Sequence, residues 1–276
     1  MFNKVVISGN QVEIYTFEKE LRGRKLKRFF PLAEISDDVL RERADYLEKK
    51  LSGHFTFLNR LRAKRNFIRL INANVTRNDK LLTLTFKKDI KDVSTACKLF
   101  TQFIKRLKTF TALQYSDFKY CAVIEFQDGK NSFSKKNNKI GRGVIHFHIL
   151  FFDFPFIHYS FFVRLWRHGS IDIESTKINE SDNVGLYLSK YMSKEMFAED
   201  PRLKGKKLYF HSRNLNKPEI LNNVDLSQFS DLLVHRTKTY ENVYVGKITI
   251  RNCLIKKNEN WSADTRQFIK LGYDVT

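Results

Sequence analysis

The chain has 276 residues, enough for one large core or two modest domains. Lys and Arg number 50 against 30 Asp and Glu, and the resulting +20 suits a polyanionic partner such as nucleic acid, or an anionic membrane surface. Four prolines and a 42% hydrophobic share argue against disorder, and no uninterrupted apolar run approaches the length of a membrane span. The scattered cysteines Cys97, Cys121 and Cys253 form no C-x-x-C pair, which excludes zinc-finger and redox-motif readings and fits a reducing cytoplasm. Met1–Gly9 lacks the features of a signal peptide, and no phosphate-binding G-x-x-x-x-G-K-[ST] loop appears.

Val5–Ser8 and Val12–Phe17 read as short strands, followed by a basic loop at Arg22–Arg28. A helical pattern runs from about Ser36 to Asn72, interrupted near Ser52-Gly53. In its second part Phe57, Leu61, Ile68 and Ile71 share one face and Arg62, Arg65 and Arg69 another. This basic stripe is read either as a solvated helix face or as a phosphate contact. Leu81–Phe86 is a strand, and Asp92 can cap a helix whose apolar positions from Val93 to Leu107 keep a 3.6-residue period. Lys119–Gln127 is another strand, residues 128–142 form a polar loop with Lys135, Lys136 and Arg142, and Gly143–Phe152 is apolar on both faces, as a central strand is. A helix at about Tyr159–Trp166, a strand near Ser170–Ser175, a helix at about 183–196 and a strand at Leu208–His211 follow. The last strand sits within a basic run that holds Lys206, Lys207 and Arg213. The order of elements from 81 to 196 predicts an α+β unit with an antiparallel sheet. The segment beyond 219 shows no clear pattern.

Two histidines stand one residue apart in Ile145-His146-Phe147-His148-Ile149. On a strand they project from one face, and two polar rings in so apolar a run need partners. Chance supplies only about 0.2 such pairs among seven histidines, so the motif is suggestive. Glu125 places a carboxylate in the hydrophobic strand Tyr-Cys-Ala-Val-Ile-Glu-Phe. If that strand and the histidine strand form a hairpin, two imidazoles and one carboxylate make an open site for Mn2+ or Mg2+, with zinc as an alternative. The competing readings are buried histidines that satisfy each other or the backbone, and a Glu125 paired with an arginine. Tyr187 and Tyr191, four apart on a helix, lie between an apolar stripe (Val184, Leu188, Met192) and Lys190 and Lys194, where a ligand can reach their hydroxyls. Here the competing reading is plain amphipathic packing. A phenol titrates near 10, so a tyrosine nucleophile needs a base or cation nearby.

With these residues in place, the chain resembles the HUH endonucleases, specifically rolling-circle replication initiators of small bacterial phages and plasmids. The resemblance spans roughly Arg60–Pro218. It rests on ordered blocks: Leu81-Leu-Thr-Leu-Thr-Phe86, Phe103-Ile-Lys-Arg-Leu107, Val123-Ile-Glu125-Phe, Gly141-Arg-Gly143-Val-Ile-His146-Phe-His148, Trp166-Arg-His-Gly169-Ser-Ile-Asp172, and Gly185-Leu-Tyr187-Leu-Ser-Lys190-Tyr191-Met-Ser-Lys194. The resemblance implies a ferredoxin-like antiparallel sheet. It implies His146, His148 and Glu125 as ligands of a divalent metal, Tyr191 and Tyr187 as nucleophiles, and Lys190 and Lys194 as the lysines that follow them. It further implies single-stranded and duplex origin DNA as partners, a host helicase and polymerase, no membrane, and a bacterial cytoplasm. Cations at Arg62, Arg65, Arg69, Lys135, Lys136, Arg142, Lys206, Lys207 and Arg213 are expected to hold phosphates. The expected domains are an N-terminal basic extension at 1–75, the endonuclease unit at 76–218 and a C-terminal extension at 219–276. A transposase of the same chemistry and a non-catalytic basic nucleic-acid-binding protein are the alternatives.

Overall fold

The computed structural model describes residues 2–19, 59–76, 78–112, 117–127, 143–175, 183–189, 201–203, 205–207, 209–242 and 246–255. Two five-stranded antiparallel sheets give an α+β architecture.

The core sheet is built from residues 80–211. Its strands are β3 (Lys80–Leu84), β4 (Lys119–Gln127), β5 (Val144–Phe152), β6 (Ile171–Ser175) and β7 (Tyr209–His211), in the order β6-β3-β5-β4-β7. Helix α2 (Val93–Thr111) follows β3 and α3 (Tyr159–Trp166) follows β5, so the chain runs β-α-β-β-α-β with β7 added at one edge. This is the ferredoxin-like order that the element sequence predicts. The mid-sheet position expected for the histidine strand holds, since β5 pairs with β3 on one side and β4 on the other.

Period-2 alternation sorts the side chains of this sheet onto two faces. Ile145, Phe147, Ile149 and Phe151 point one way and pack with Phe100, Phe103 and Leu107 of α2 and Phe162 and Trp166 of α3. Phe100 stacks on Phe147 with ring centroids 4.6 Å apart. Each such buried ring or aliphatic side chain contributes about 1.5–3 kcal/mol. Asp92 caps α2, its carboxylate accepting from the Thr95 N–H at 2.7 Å, as expected from sequence. Leu150, Phe152, Cys121 and Val123 point the other way and pack against Phe67 and Ile71 of the helix at 59–72 (α1) and against Val184 and Leu188 of the helix at 184–189 (α4).

The second sheet joins the two ends of the chain. Strands β1 (Phe2–Ser8) and β2 (Gln11–Phe17) form a hairpin. It is flanked by β8 (Glu219–Asn222) on one side and by β10 (Gly246–Leu254) and β9 (Leu233–Asn242) on the other, in the order β8-β1-β2-β10-β9. The segments read from sequence as separate N- and C-terminal extensions thus share one sheet. Gly9, in the hairpin turn, has a φ of +61° and lies so close to α1 that a Cβ there would stand 2.2 Å from the Asn72 carbonyl oxygen.

Candidate functional site

The histidine face of the core sheet is the face covered by α1 and α4. Register places Glu125 of β4 directly opposite His146 of β5, and Val123, His148, Thr83 and Asp172 form one row across four strands. The expected hairpin of β4 and β5 therefore exists, and Glu125 reaches the histidines. His148 Nε2 and Glu125 Oε2 are 2.7 Å apart. His148 is buried and His146 half-buried. Thr83 Oγ1 lies 3.1 Å from His148 Nδ1 and fixes the ring from its other side. Sequence reasoning passed over Thr83, although a threonine in the hydrophobic run Leu-Leu-Thr-Leu was the available signal. No group of three or more His, Cys, Asp or Glu side chains is gathered as a metal cage among the described residues. What the strands bring together is the His148–Glu125 contact with His146 in register beside it.

Tyr187 lies on α4, which puts it on the same face. Val184 and Leu188 are buried against the sheet while Tyr187 is 50% exposed, the amphipathic arrangement expected from the helical wheel. Tyr191, Lys190 and Lys194 lie outside the described residues.

A set of asparagines unnoticed in the sequence sets the position of α4. Asn183 caps it, with Oδ1 accepting from the Leu186 N–H at 2.8 Å. Asn72, at the end of α1, accepts from the Gly185 N–H at 2.8 Å and donates through Nδ2 to Asn183 Oδ1 at 2.9 Å. A Cβ on Gly185 would fall 2.3 Å from the Ile68 carbonyl oxygen, so only glycine allows this approach of the two helices.

The expected phosphate contacts divide. Arg62 and Arg65 are exposed on α1. Arg69 is not a solvent-facing cation, which corrects the expectation for it. It is buried and donates from Nε and Nη2 to the two Glu13 carboxylate oxygens at 2.8 Å each, and from Nη2 to the Tyr15 hydroxyl. Burial works to raise the Glu13 carboxyl, but the Arg69 hydrogen bonds and charge, aided by the Tyr15 hydroxyl, hold it below the usual range. Burial and the Glu13 charge push Tyr15 up to about 12. Lys206, Lys207 and Arg213 are exposed, and Lys206 Nζ donates to Ser94 Oγ at 2.8 Å. Lys135, Lys136 and Arg142 lie outside the described residues. No helix among the described residues is long and apolar enough to cross a membrane.

Residues 79–196 match the family model of replication-associated protein ORF2. The match begins just before β3 and runs past α4, so it takes in the β-α-β-β-α-β unit, the His148–Glu125 pair and the tyrosine helix. This core is therefore similar to replication-associated proteins, in agreement with the resemblance to replication initiators. The second sheet lies wholly outside the match. No curated protein and no solved structure matches the chain.

Proposed function

We propose that the protein initiates rolling-circle replication by nicking one strand of origin DNA with a tyrosine nucleophile. One observation carries this reading: the His148–Glu125 pair and the helix bearing Tyr187 share one face of the core sheet, within the segment similar to replication-associated proteins.

A divalent metal, Mn2+ or Mg2+, fits the donor set. Thr83 engages His148 at Nδ1 and leaves Nε2 as the ligand atom, Glu125 already stands within 2.7 Å of that nitrogen, and His146 is on the same face. Bound there, such an ion polarises the scissile phosphate and offsets its developing charge. The chain's own groups do the rest. The hydroxyl oxygen of Tyr191 or Tyr187 attacks phosphorus, and the P–O3′ bond breaks. The 3′ oxygen leaves with the electron pair and takes up a proton. The products are a 5′-phosphotyrosine and a free 3′-OH able to prime synthesis. Lys190 and Lys194, which follow the tyrosines in sequence, supply positive charge beside the phenolate and phosphate oxygens. The covalent link conserves the phosphodiester bond energy, so the second tyrosine can rejoin ends without ATP.

The test is incubation with labelled single-stranded DNA and Mn2+, followed by denaturing electrophoresis. A DNA–protein adduct is expected that EDTA abolishes and that is lost in the Tyr187→Phe/Tyr191→Phe double variant. Undiminished adduct formation by the double variant would refute the mechanism.

A further inference from the structure

The second sheet lies outside the family match, yet it carries an exposed basic surface with a fixed orientation. Cross-strand register aligns three rows: Glu13, Asn252 and Arg236; Tyr15, Ile250 and Lys238; Phe17, Ile248 and Tyr240. Residues of a row share a face, and in the first two rows Glu13 and Tyr15 bond Arg69 of α1. Arg236 and Lys238 therefore project toward the same side as α1, two strands out from β2, roughly 10 Å away. Arg65 on α1 stands near enough for its charge to act on both Glu13 and Tyr15. Arg62 is one turn further along the same helix face.

The sign of this surface is uniform. Glu13, the acid in the three rows, is already engaged by Arg69. Glu241 sits opposite Lys247, which places it on the other face of the sheet. Arg236 and Lys238 are exposed, Tyr240 is 48% exposed, and β9 lies at the end of the sheet among the described strands. Edge strands are commonly guarded by charge, and one or two lysines suffice for that. Here the cations of the edge instead continue across a corner onto those of a helix.

We propose that Arg236 and Lys238, together with Arg62 and Arg65, form a docking surface for the phosphate backbone of duplex DNA, separate from the tyrosine site. The proposal rests on the reading of the protein as acting on DNA and adds where the duplex is gripped. The chemistry is charge pairing with phosphates. Exposed aromatics, the mark of a single-strand track, are limited on these rows to Tyr240, and this favours the duplex.

The experiment measures binding of a short fluorescent duplex, and of one of its strands alone, by anisotropy between about 50 and 200 mM salt without divalent metal. No strand cutting is needed, so the outcome is independent of whether the nicking mechanism holds. Arg236→Ala/Lys238→Ala is compared with the wild type and with Lys98→Ala/Lys105→Ala, which removes two exposed lysines from α2 on the opposite face of the core. Melting temperatures confirm that each variant folds. Removing two phosphate contacts is expected to lower the slope of log K against log salt by about 2 and to weaken the duplex more than tenfold at low salt, with a smaller effect on the single strand. Equal losses in the two variants, or an unchanged slope in Arg236→Ala/Lys238→Ala, would overturn the proposal. So would a larger loss for the single strand than for the duplex.

Discussion

Gly185→Ala tests whether the placement of the tyrosine helix matters to the reaction. Two effects of this substitution have opposite signs. In an isolated helix, alanine is favoured over glycine by about 1 kcal/mol, so propensity alone predicts a firmer α4 and no loss. The structure predicts otherwise. The new Cβ would stand 2.3 Å from the Ile68 carbonyl oxygen, 2.8 Å from the Ile68 Cα and 2.9 Å from Asn72 Oδ1. Two of these three atoms are backbone, and none is the end of a flexible side chain, so the helices must part by roughly 1 Å to restore ordinary contact. That shift lengthens the bond from the Gly185 N–H to Asn72 and carries Tyr187 away from the sheet. A displacement of about 1 Å at a reacting group costs on the order of a hundredfold in rate, and the overpacking costs about 1–3 kcal/mol of stability. The assay is single-turnover adduct formation on single-stranded DNA with protein in excess, at a temperature where melting shows the variant folded. A rate within about twofold of the wild type, or a raised melting temperature, would show that the approach of α4 to α1 does not set the position of the tyrosines.

Three further substitutions probe separate parts of the molecule. Thr83→Val keeps the side-chain shape but removes the group that holds His148 Nδ1, and it should weaken Mn2+ binding by about 10- to 100-fold in calorimetric titration; unchanged affinity would remove Thr83 from the site. Arg69→Met leaves the Glu13 carboxylate buried without its partner and should cost about 3–5 kcal/mol in denaturant unfolding. Adding Glu13→Gln should recover part of that, and a double variant no more stable than the single one would contradict this account. Burial raises the Asp79 carboxyl from 3.8 to about 6, so its proton is held more tightly in the folded than in the unfolded chain. Its contribution to stability is complete below the lower value and is lost as pH rises through this window, by about 3 kcal/mol in all. Unfolding measured across the window should show that decline in the wild type but not in Asp79→Asn, and parallel curves would refute the assignment.

Local pattern carried most of the core, and distant partners carried what it missed. The bounds of β4 and α3 follow directly from the sequence, since a period of 2 or 3.6 stops where polar residues begin. The strand read as Leu81–Phe86 stops pairing at Leu84, because Thr85 turns its N–H to the Ser170 carbonyl and Lys87 turns its own to His168. Strands β9 and β10 escaped notice for two physical reasons. An edge strand exposed on both faces, such as Arg-Thr-Lys-Thr-Tyr, has no apolar side to alternate. In β10 the alternation of Ile248 and Ile250 breaks at a register shift between Asn252 and Cys253. The site was legible where chemistry stood out against an apolar background, as with His146, His148 and Glu125. Thr83 and Asn72 act through partners 65 and 113 residues away, which no local window contains. Arg62, Arg65 and Arg69 look alike on a helical wheel, and only Glu13, brought in from 56 residues away, sorts the buried one from the exposed pair.

The N-terminal hairpin touches the same few residues that position the tyrosine helix. Asn72 receives Gly9 against its carbonyl, holds the Gly185 N–H and bonds Asn183, and Asn183 in turn donates to Gln11 Oε1 at 3.4 Å. One turn back along α1, Arg69 fastens Glu13 and Tyr15. The second sheet is thus seated on the helix that seats α4, through packed backbone and paired polar groups with no flexible linker in the path. Such a mount has one geometric consequence. Any duplex held by Arg236 and Lys238 is held at a set distance and angle from Tyr187, because β9, β10, β2, α1 and α4 follow one another by ladder hydrogen bonds and buried contacts. A sequence-independent grip on phosphates then does more than raise affinity. It fixes which stretch of an adjoining single strand can reach the histidine face, and so limits where a nick can fall without reading a base.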